Sequence, residues 1–261
     1  MATDDEVHND THTHEKDGPL PPGMALAWGI RQPTTRGPKP GLSIDKIVTA
    51  AVEIADQSGL GAVSMSRVAE RLGFTTMSLY RYVATKDELL ALMVNAALGS
   101  PPVELSADWH EAAEQWARAT LDVYSAHPWA LDVPITGPPT SPNQLRWLDR
   151  LLQTFAGTGM TYQEQLSCAL LLDGYVRNWS SLSRGVQNID PATMAQNAAA
   201  NRALRDLVDP ERFPALSPMI SAGEFDDNEE NPDDFNEVFD FSLERIIAGI
   251  DALVQTRATA T

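Results

Sequence analysis

Residues 65–82 read MSRVAERLGFTTMSLYRY, and the fold of the chain can be worked out from this stretch. Apolar side chains recur at one-turn spacing on both sides of Gly73, which predicts two short helices separated by a bend. Glycine suits such a bend because the turn favours positive φ, and Thr75 can cap the second helix. The pattern indicates a helix-turn-helix. The positions predicted to face inward are Val68, Ala69, Leu72, Leu79, Tyr82 and Val83.

The second helix of this pair has a distinct outer face. At about 100° per residue, Thr76, Met77, Tyr80 and Arg81 lie away from the inward positions. Hydrogen-bonding, apolar and cationic groups in the first turns of a helix are typical of a recognition helix in the major groove of DNA. An ordinary helical hairpin with a solvated face would also fit this fragment taken alone.

A third helix start follows directly in the sequence. Thr85 and Glu88 form a capping-box pattern, which predicts a helix that begins after Thr85. Lys86 lies in its first turn, where a cation interacts unfavourably with the helix dipole. A bound phosphate would supply the missing negative charge, whereas a solvated lysine would need no such partner.

Together these elements resemble the DNA-binding domain of the TetR (tetracycline repressor) family. The resemblance covers residues 41–99, through the runs 47–55, 59–64, 68–74, 79–83 and 86–90. It implies an all-helical homodimer with an N-terminal DNA reader and a C-terminal domain that binds a small effector. Tyr82 stands where many family members have histidine. By position, the resemblance implies DNA contacts at Thr76, Met77, Tyr80, Arg81 and Lys86. The predicted DNA-binding residues also include Ser66, Thr75 and Tyr82.

The net charge of −17 argues at first against a nucleic-acid partner, but the charge is unevenly distributed. Residues 31–86 carry eight cations and four anions, or +4, and the other residues carry eleven cations and thirty-two anions, or −21. A basic head on an acidic body can still bind phosphates, so double-stranded DNA stays the predicted partner.

The single cysteine, Cys168, excludes an internal disulfide framework and fits a reducing cytoplasm. Its place in an apolar helical pattern predicts a small buried core residue. The sequence contains no run of about 20 apolar residues and no signal-peptide pattern. A cytoplasmic protein without a membrane partner is therefore expected.

Three segments are predicted along the chain. Residues 1–42 are expected to be a disordered N-terminal extension that ends in a basic arm. Trp28 within it could dock on the domain, or it could be a weakly ordered apolar residue. Arg36 and Lys39 on this arm could reach the minor groove of DNA, or they could belong to a flexible linker. Residues 43–100 are predicted to form the helix-turn-helix DNA-binding domain, and residues 101–261 the effector-binding and dimerisation domain.

The body shows helical patterns and no convincing strand, so the predicted fold class is all-α: an N-terminal helix-turn-helix domain followed by a C-terminal helical bundle. The segment 162–182 is apolar on more than one side, which requires burial on several faces. The runs 127–129 (HPW) and 137–139 (GPP) resemble a tetracycline-repressor-like C-terminal domain. That resemblance implies a homodimer through the helices at 162–182 and 235–255.

Aromatic and charged residues of the body are candidates for an effector pocket, although regular aromatic spacing more often marks a core. Asp173 is the most informative of them, because a buried carboxylate in an apolar helix needs a partner. That partner is either Arg177, four residues later, or a ligand. No cofactor and no metal site is predicted. The candidate pocket residues are Trp116, Tyr124, Phe155, Asp173, Arg177 and Trp179.

The resulting hypothesis is a transcription regulator, namely a repressor that a small-molecule effector releases from a palindromic DNA operator. The alternative is a small-molecule-binding or protein-interaction module of the same fold without DNA binding, and the acidity of the chain motivates it. An enzyme ranks last, because the sequence shows no Ser/His/Asp elbow, phosphate loop or zinc-ligand spacing, and no catalytic residue is predicted.

Overall fold

The computed structural model of the chain describes residues 23–30, 41–135, 137–187, 191–224 and 232–259. Every regular element in these ranges is helical, which confirms the predicted all-α class. Two short 3₁₀ helices, Leu60–Ala62 and Pro128–Asp132, accompany the α-helices. The α-helices are α1 Met24–Ala27, α2 Ile44–Ser58, α3 Met65–Leu72, α4 Thr76–Tyr80, α5 Lys86–Leu98, α6 Trp109–Ala126, α7 Pro142–Thr154, α8 Tyr162–Gln187, α9 Pro191–Leu207, α10 Leu216–Ala222 and α11 Pro232–Thr259.

The predicted DNA-binding domain (residues 43–100) is called the reader below, and residues 101–261 are called the body. The reader contains four helices, α2 to α5, and each of them begins at a side-chain cap. The hydroxyls of Ser43, Ser64, Thr75 and Thr85 accept hydrogen bonds from backbone N–H groups three residues further on. Gly73 ends α3 with a φ of 73°, the left-handed conformation predicted for the bend. Local capping chemistry therefore sets the boundaries of the helix-turn-helix.

The second helix of the helix-turn-helix is shorter than predicted. α4 ends at Tyr80, and the chain turns through Arg81 and Tyr82 before α5. The N–H groups of Tyr82 and Val83 both donate to the Leu79 carbonyl, which closes the helix. Leu79 and Val83 are fully buried, so the predicted apolar base is present although its last turn is not helical.

Part of the predicted disordered extension is folded. α1 packs against α5 and buries Met24 and Leu26. Gly23, just before α1, has a φ of 78°, and a Cβ atom there would lie 2.9 Å from the Glu88 carbonyl oxygen. Only glycine fits such an approach. The prediction of disorder is therefore wrong for residues 23–30, because α5 offers an apolar surface that a short segment does not reveal by its own periodicity.

The same segment also reaches the body. The indole Nε1 of Trp28 donates a hydrogen bond to the Thr140 carbonyl at 3.0 Å. Residues 23–30 thus link α5 to the loop that precedes α7. The predicted basic-arm residues Arg36 and Lys39 lie outside the described residues.

The C-terminal end of α5 is joined to α7 by polar contacts. Asn143 donates through Nδ2 to the Asn95 carbonyl at 2.7 Å, and its backbone N–H donates to Asn95 Oδ1 at 3.0 Å. Trp147 donates through Nε1 to the Leu98 carbonyl at 3.0 Å. Two of these bonds satisfy backbone carbonyls, those of Asn95 and Leu98, at the end of a helix where intrahelical partners are absent.

A second junction connects α2 to the 3₁₀ helix Pro128–Asp132. Asp56 Oδ1 accepts a hydrogen bond from Trp129 Nε1 at 2.6 Å. The Nδ1 of His127 lies 2.8 Å from the same oxygen. Within the described residues, the reader is therefore attached to the body through α5, through Trp28 of the segment packed on α5, and through Asp56.

The centre of the body consists of α6, α7 and α8, and α11 packs along α6 and α8. Its fully buried side chains include Phe155, Leu172 and Phe239. Cys168 is buried as predicted, and burial raises the pKa of its thiol. In the part of the chain that the structure describes, no helix has the length and apolar character needed to cross a membrane.

Candidate nucleic-acid interface and effector cavity

The outer face of the reader carries exposed side chains above a fully buried base. The side chain of Met77 is 71% exposed and that of Tyr80 is 46% exposed. Thr76 is half-buried beside them, and Arg81 is exposed at the end of α4. An exposed thioether and phenol next to a short hydroxyl can contact base edges and thymine methyl groups.

Two cations of this face are free to meet phosphates. Arg81 and Lys86 are exposed, and neither forms an ion pair with any residue that the structure describes. Arg71 differs, because its guanidinium is bound to Glu53 at 2.7 Å and to Gln57 at 3.3 Å. Arg71 thus stabilises the reader internally, whereas Arg81 and Lys86 point the positive charge outward.

Three further predicted DNA contacts also serve the local structure. The Thr75 hydroxyl accepts a hydrogen bond from the Ser78 N–H at 3.3 Å while staying exposed. The exposed Ser66 hydroxyl lies 3.1 Å from Ser64 Oγ, at the start of α3. Tyr82 is half-buried against the core, so only part of its ring faces outward.

A largely apolar cavity of about 290 Å³ lies between α6, α7 and α8. Its volume is close to the lower end of the range for small-molecule sites. Leu98, the last residue of α5, contributes to the wall, so the cavity touches the helix that begins beside the predicted DNA-facing surface. The lining residues are Leu98, Trp116, Thr120, Tyr124, Ile135, Gly137, Pro138, Pro139, Gln144, Trp147, Leu148, Leu151, Leu166, Ala169, Leu170, Asp173 and Arg177.

The structure brings together four of the six residues predicted for an effector pocket. Phe155 lies in the core instead, fully buried, with its ring centroid 6.0 Å from that of Trp109. Trp179 packs against Phe239 with ring centroids 5.9 Å apart. Neither Phe155 nor Trp179 lines the cavity. The four that do are Trp116, Tyr124, Asp173 and Arg177.

Sequence reasoning missed the wall formed by α7 and the loop before it. Trp147 lines the cavity and lies edge-on to Trp116, with ring centroids 6.0 Å apart. The 137–139 run also lines the cavity, and its position there depends on tertiary packing. In the sequence, Trp147 offers one usable signal, because it lies among apolar residues at helical spacing, namely Leu145, Leu148 and Leu151.

Arg177 is occupied by partners other than Asp173. Its guanidinium donates to the carbonyls of Leu131 and Val133 at 3.0 and 3.2 Å, and to the Tyr124 hydroxyl at 3.4 Å. These bonds hold α8 to the 3₁₀ helix Pro128–Asp132 and the residue after it. The sequence left open whether Asp173 pairs with Arg177. In the part of the chain that the structure describes, these two side chains form neither a hydrogen bond nor an ion pair.

Asp173 is half-buried and forms no hydrogen bond or ion pair with any described residue. Burial raises the pKa of its carboxyl, and the nearby charge of Arg177 offsets this only in part. Burial also raises the pKa of Tyr124, and the Asp173 charge adds to that rise. The cavity therefore contains one carboxylate whose charge is poorly compensated.

A wider cleft of about 870 Å³ between α6 and α11 is lined mainly by carboxylates. His110 lies in it, with ring nitrogens 2.9 Å from Asp108 and 2.8 Å from Asp251. Burial lowers the pKa of His110, but hydrogen bonds to the two carboxylates outweigh burial, and the pKa is raised overall. No group of His, Cys, Asp and Glu in the described ranges is suited to hold a metal ion.

One side of α8 and α11 is apolar yet exposed in the single protomer. On α8, Leu170 is 72% exposed, and Leu171 is exposed next to it. On α11, Phe241 is 61% exposed, and Val238 is exposed one turn before it. Large apolar side chains left exposed on two long helices are typical of an interaction site.

These features define a class of protein, the helix-turn-helix regulators with a helical body. Family models match both parts of the chain. The model described as "Tetracyclin repressor-like, C-terminal domain" matches residues 101–254. The model described as "Bacterial regulatory proteins, tetR family" matches residues 47–93. The chain belongs to the TetR family and is a transcriptional regulator.

Individual relatives agree with this assignment. The chain is 36% identical to the HTH-type transcriptional repressor DrrR1 of Streptomyces coeruleorubidus, over 90% of this chain and 86% of that protein. It is 30% identical to an HTH-type transcriptional regulator of Saccharopolyspora erythraea, over 82% of this chain and 86% of the relative. Its structure is similar to that of the Streptomyces coelicolor TetR family protein ActR in complex with actinorhodin, with a TM-score of 0.67 and 27% identity over 82% of this chain and 99% of ActR.

Proposed function

We propose that the chain is a dimeric repressor that binds a palindromic DNA operator and is released from it by a small-molecule effector. The observation that carries this proposal is the reader surface, where Met77, Tyr80, Arg81 and Lys86 are exposed on a buried and capped base. One relative is named a transcriptional repressor, and ActR forms a complex with actinorhodin. Residues 43–100 act as the reader and residues 101–261 as the effector-binding and dimerisation domain. The protein acts in the cytoplasm, where a bacterial operator is found.

On DNA, α4 enters the major groove with its N-terminal end toward the bases. Thr76 and Tyr80 offer hydroxyls to base edges, and Met77 offers an apolar contact for a thymine methyl group. Arg81 and Lys86 bind phosphates on either side of the groove. The exposed hydroxyls of Ser66 and Thr75 and the outer edge of Tyr82 complete the contact surface.

Dimerisation places two readers on one duplex. The exposed apolar side of α8 and α11, which includes Leu170 and Phe241, packs against the same helices of a second subunit. Such a four-helix interface fixes the distance between the two recognition helices. That distance must be about 34–36 Å, one turn of DNA, for both helices to enter successive major grooves.

The cavity is positioned to change that distance. Leu98 lines the cavity at one end of α5, and Lys86 begins the same helix at the DNA-facing surface. Trp147, also in the wall, is hydrogen-bonded to the Leu98 carbonyl at 3.0 Å. A ligand that displaces this wall moves α5, and the ligand must bind the displaced state several kcal/mol more tightly to release DNA.

Selection from a randomised duplex library tests the DNA-binding function. We expect enrichment of a palindrome whose half-sites are one helical turn apart. On the selected duplex, Tyr80→Ala should weaken binding by about 1–3 kcal/mol and relax specificity at one position, while Lys86→Ala should weaken binding to all sequences and lower the salt dependence. Arg212→Ala, which removes an exposed cation of the body, is the matched control and should bind like the parent protein.

The net charge of −17 motivates one alternative, a protein of this fold that does not bind DNA. A folded dimer that binds no duplex even at low salt would be a small-molecule-binding or protein-interaction module of this fold. Equal affinity of the parent protein, Tyr80→Ala and Lys86→Ala would instead remove these residues from the interface. Membership of a family of transcriptional regulators argues against an enzyme.

A further inference from the structure

The walls of the cavity are suited to a flat, ring-bearing molecule. Three aromatic side chains, Trp116, Tyr124 and Trp147, contribute to a largely apolar lining. Such walls bury hydrophobic area and also attract a cation that lies over a ring face. Apolar and aromatic walls fix the body of a ligand, and the few polar groups among them fix its polar substituents.

Most hydrogen-bonding groups at the cavity already have partners. Trp116 donates through Nε1 to the Trp147 carbonyl at 2.9 Å, and Trp147 donates to the Leu98 carbonyl at 3.0 Å. The Thr120 hydroxyl donates to the Trp116 carbonyl at 2.9 Å. The Arg177 guanidinium is shared among two carbonyls and a hydroxyl. The indole donors and the Thr120 hydroxyl are therefore used within the protein, and so are three of the five N–H groups of Arg177.

Asp173 is the exception among the charged residues of the lining. Its carboxylate is half-buried at the cavity wall and has no hydrogen-bond or ion-pair partner within the described residues. A carboxylate removed from water without compensation destabilises the protein, and a hydrogen-bond donor within reach relieves that cost. A ligand with a hydrogen-bond donor beside Asp173 would therefore stabilise this carboxylate, and a positively charged donor would stabilise it most.

We propose that the cavity is selective for effectors with a protonated amine on an aromatic or polycyclic body, and that Asp173 binds this amine. The inference rests on the proposed function, because it assumes that the cavity is the effector site. The aromatic walls hold the ring system, while the carboxylate accepts the hydrogen bond and neutralises the charge. The −21 charge outside residues 31–86 adds to this preference, since an acidic body concentrates cations around it.

A set of planar three-ring aromatic probes of similar size and different charge tests the proposal. The probes are 9-aminoacridine, a cation at neutral pH, 9-anthracenemethanol, a neutral hydroxyl donor, and anthracene-9-carboxylate, an anion. Fluorescence titration of the full chain without DNA should give about tenfold or tighter binding of the cation relative to the anion. The alcohol shows whether a neutral donor is sufficient.

Three variants locate the effect. Asp173→Asn keeps the shape and an acceptor but removes the charge, and it should lower the affinity for 9-aminoacridine about tenfold while raising that for the anion. Asp122→Asn removes an equal charge from an exposed site on α6 and should change neither affinity. Leu148→Trp fills part of the cavity and should weaken all probes. Thermal unfolding checks that each variant is folded. If Asp173→Asn does not fold, Asp173→Leu replaces it as the variant without the charge.

The outcomes separate this inference from the proposed function. Binding that Leu148→Trp weakens, but that is equal for cation and anion and unchanged in Asp173→Asn, would overturn the amine selectivity and leave the cavity as the effector site. An affinity of the alcohol that matches that of 9-aminoacridine would also overturn it, because the charge would then contribute nothing. Binding unaffected by Leu148→Trp, or no binding of any probe, would overturn both.

Discussion

Asp56→Ala should loosen the attachment of the reader to the body. The carboxylate accepts a hydrogen bond from Trp129 Nε1 at 2.6 Å, and Nδ1 of His127 lies 2.8 Å away. Trp129 is buried, so its N–H group would lose this acceptor without reaching water, at a cost of about 1–3 kcal/mol. His127 is half-buried and can turn toward solvent, so its loss adds little. We expect a decrease of about 2 kcal/mol in the free energy of unfolding.

Urea unfolding followed by tryptophan fluorescence and by circular dichroism measures this change. Asp56→Asn keeps an oxygen for Trp129 and removes only the charge, so it should cost about 1 kcal/mol. Asp122→Ala is the matched control, because Asp122 is exposed on α6 and should tolerate the change within about 0.5 kcal/mol. A value for Asp56→Ala within that same range would refute the reasoning, since the buried indole would then not depend on the carboxylate.

Two further predictions concern the dimer and the response to acid. Gly249 lies on the exposed side of α11, and a Cβ atom there meets nothing within 4 Å, so Gly249→Leu should leave the protomer folded but shift the dimer toward monomer in analytical ultracentrifugation. Gly61→Leu, which is equally open in the reader, should not, and a stable Gly249→Leu dimer would contradict the proposed interface. Arg257 holds the pKa of Glu164 down from 4.5 to about 2, so the stability that this pair contributes is present above pH 4.5 and lost as the pH falls toward 2. Arg257→Met should reduce the loss of stability between these pH values in acid titrations of unfolding, and an unchanged acid profile would show that the pair contributes nothing.

The parts of the fold that were predictable depend on local chemistry. Ser64, Thr75 and Thr85 precede their helices in the sequence and cap them in the structure, because a cap needs only the backbone three residues ahead. Gly73 has the predicted positive φ for the same kind of reason. The end of α4 at Tyr80 was harder to predict, because the position at which a short helix ends depends on how the next helix packs against it.

Contacts between distant parts of the chain explain why some side-chain partners could not be predicted from the sequence. The spacing of Asp173 and Arg177 is correct for a pair on one helix, yet Arg177 binds the Leu131 and Val133 carbonyls. Those carbonyls belong to a segment more than forty residues earlier, so no local pattern places them near Arg177. The same limitation applies to α1, whose apolar residues become meaningful only against the surface of α5.

Two of the links between reader and body, through α5 and through Asp56, give the proposed effector cavity a route to the predicted DNA-facing surface. Lys86 and Leu98 are the two ends of α5, twelve residues and therefore about 18 Å apart. A tilt of about 10° around the Leu98 end would move the Lys86 end by about 3 Å, which is the length of a hydrogen bond. Arg177 adds a second route, because it binds the carbonyls that follow Trp129, and Trp129 binds Asp56 in α2. A ligand beside Asp173 would disturb both routes at once, so the reader would rotate as a unit instead of bending at one hinge. Restraining both routes should therefore be necessary to prevent release, and Asp56→Ala alone should weaken the response to ligand without abolishing it.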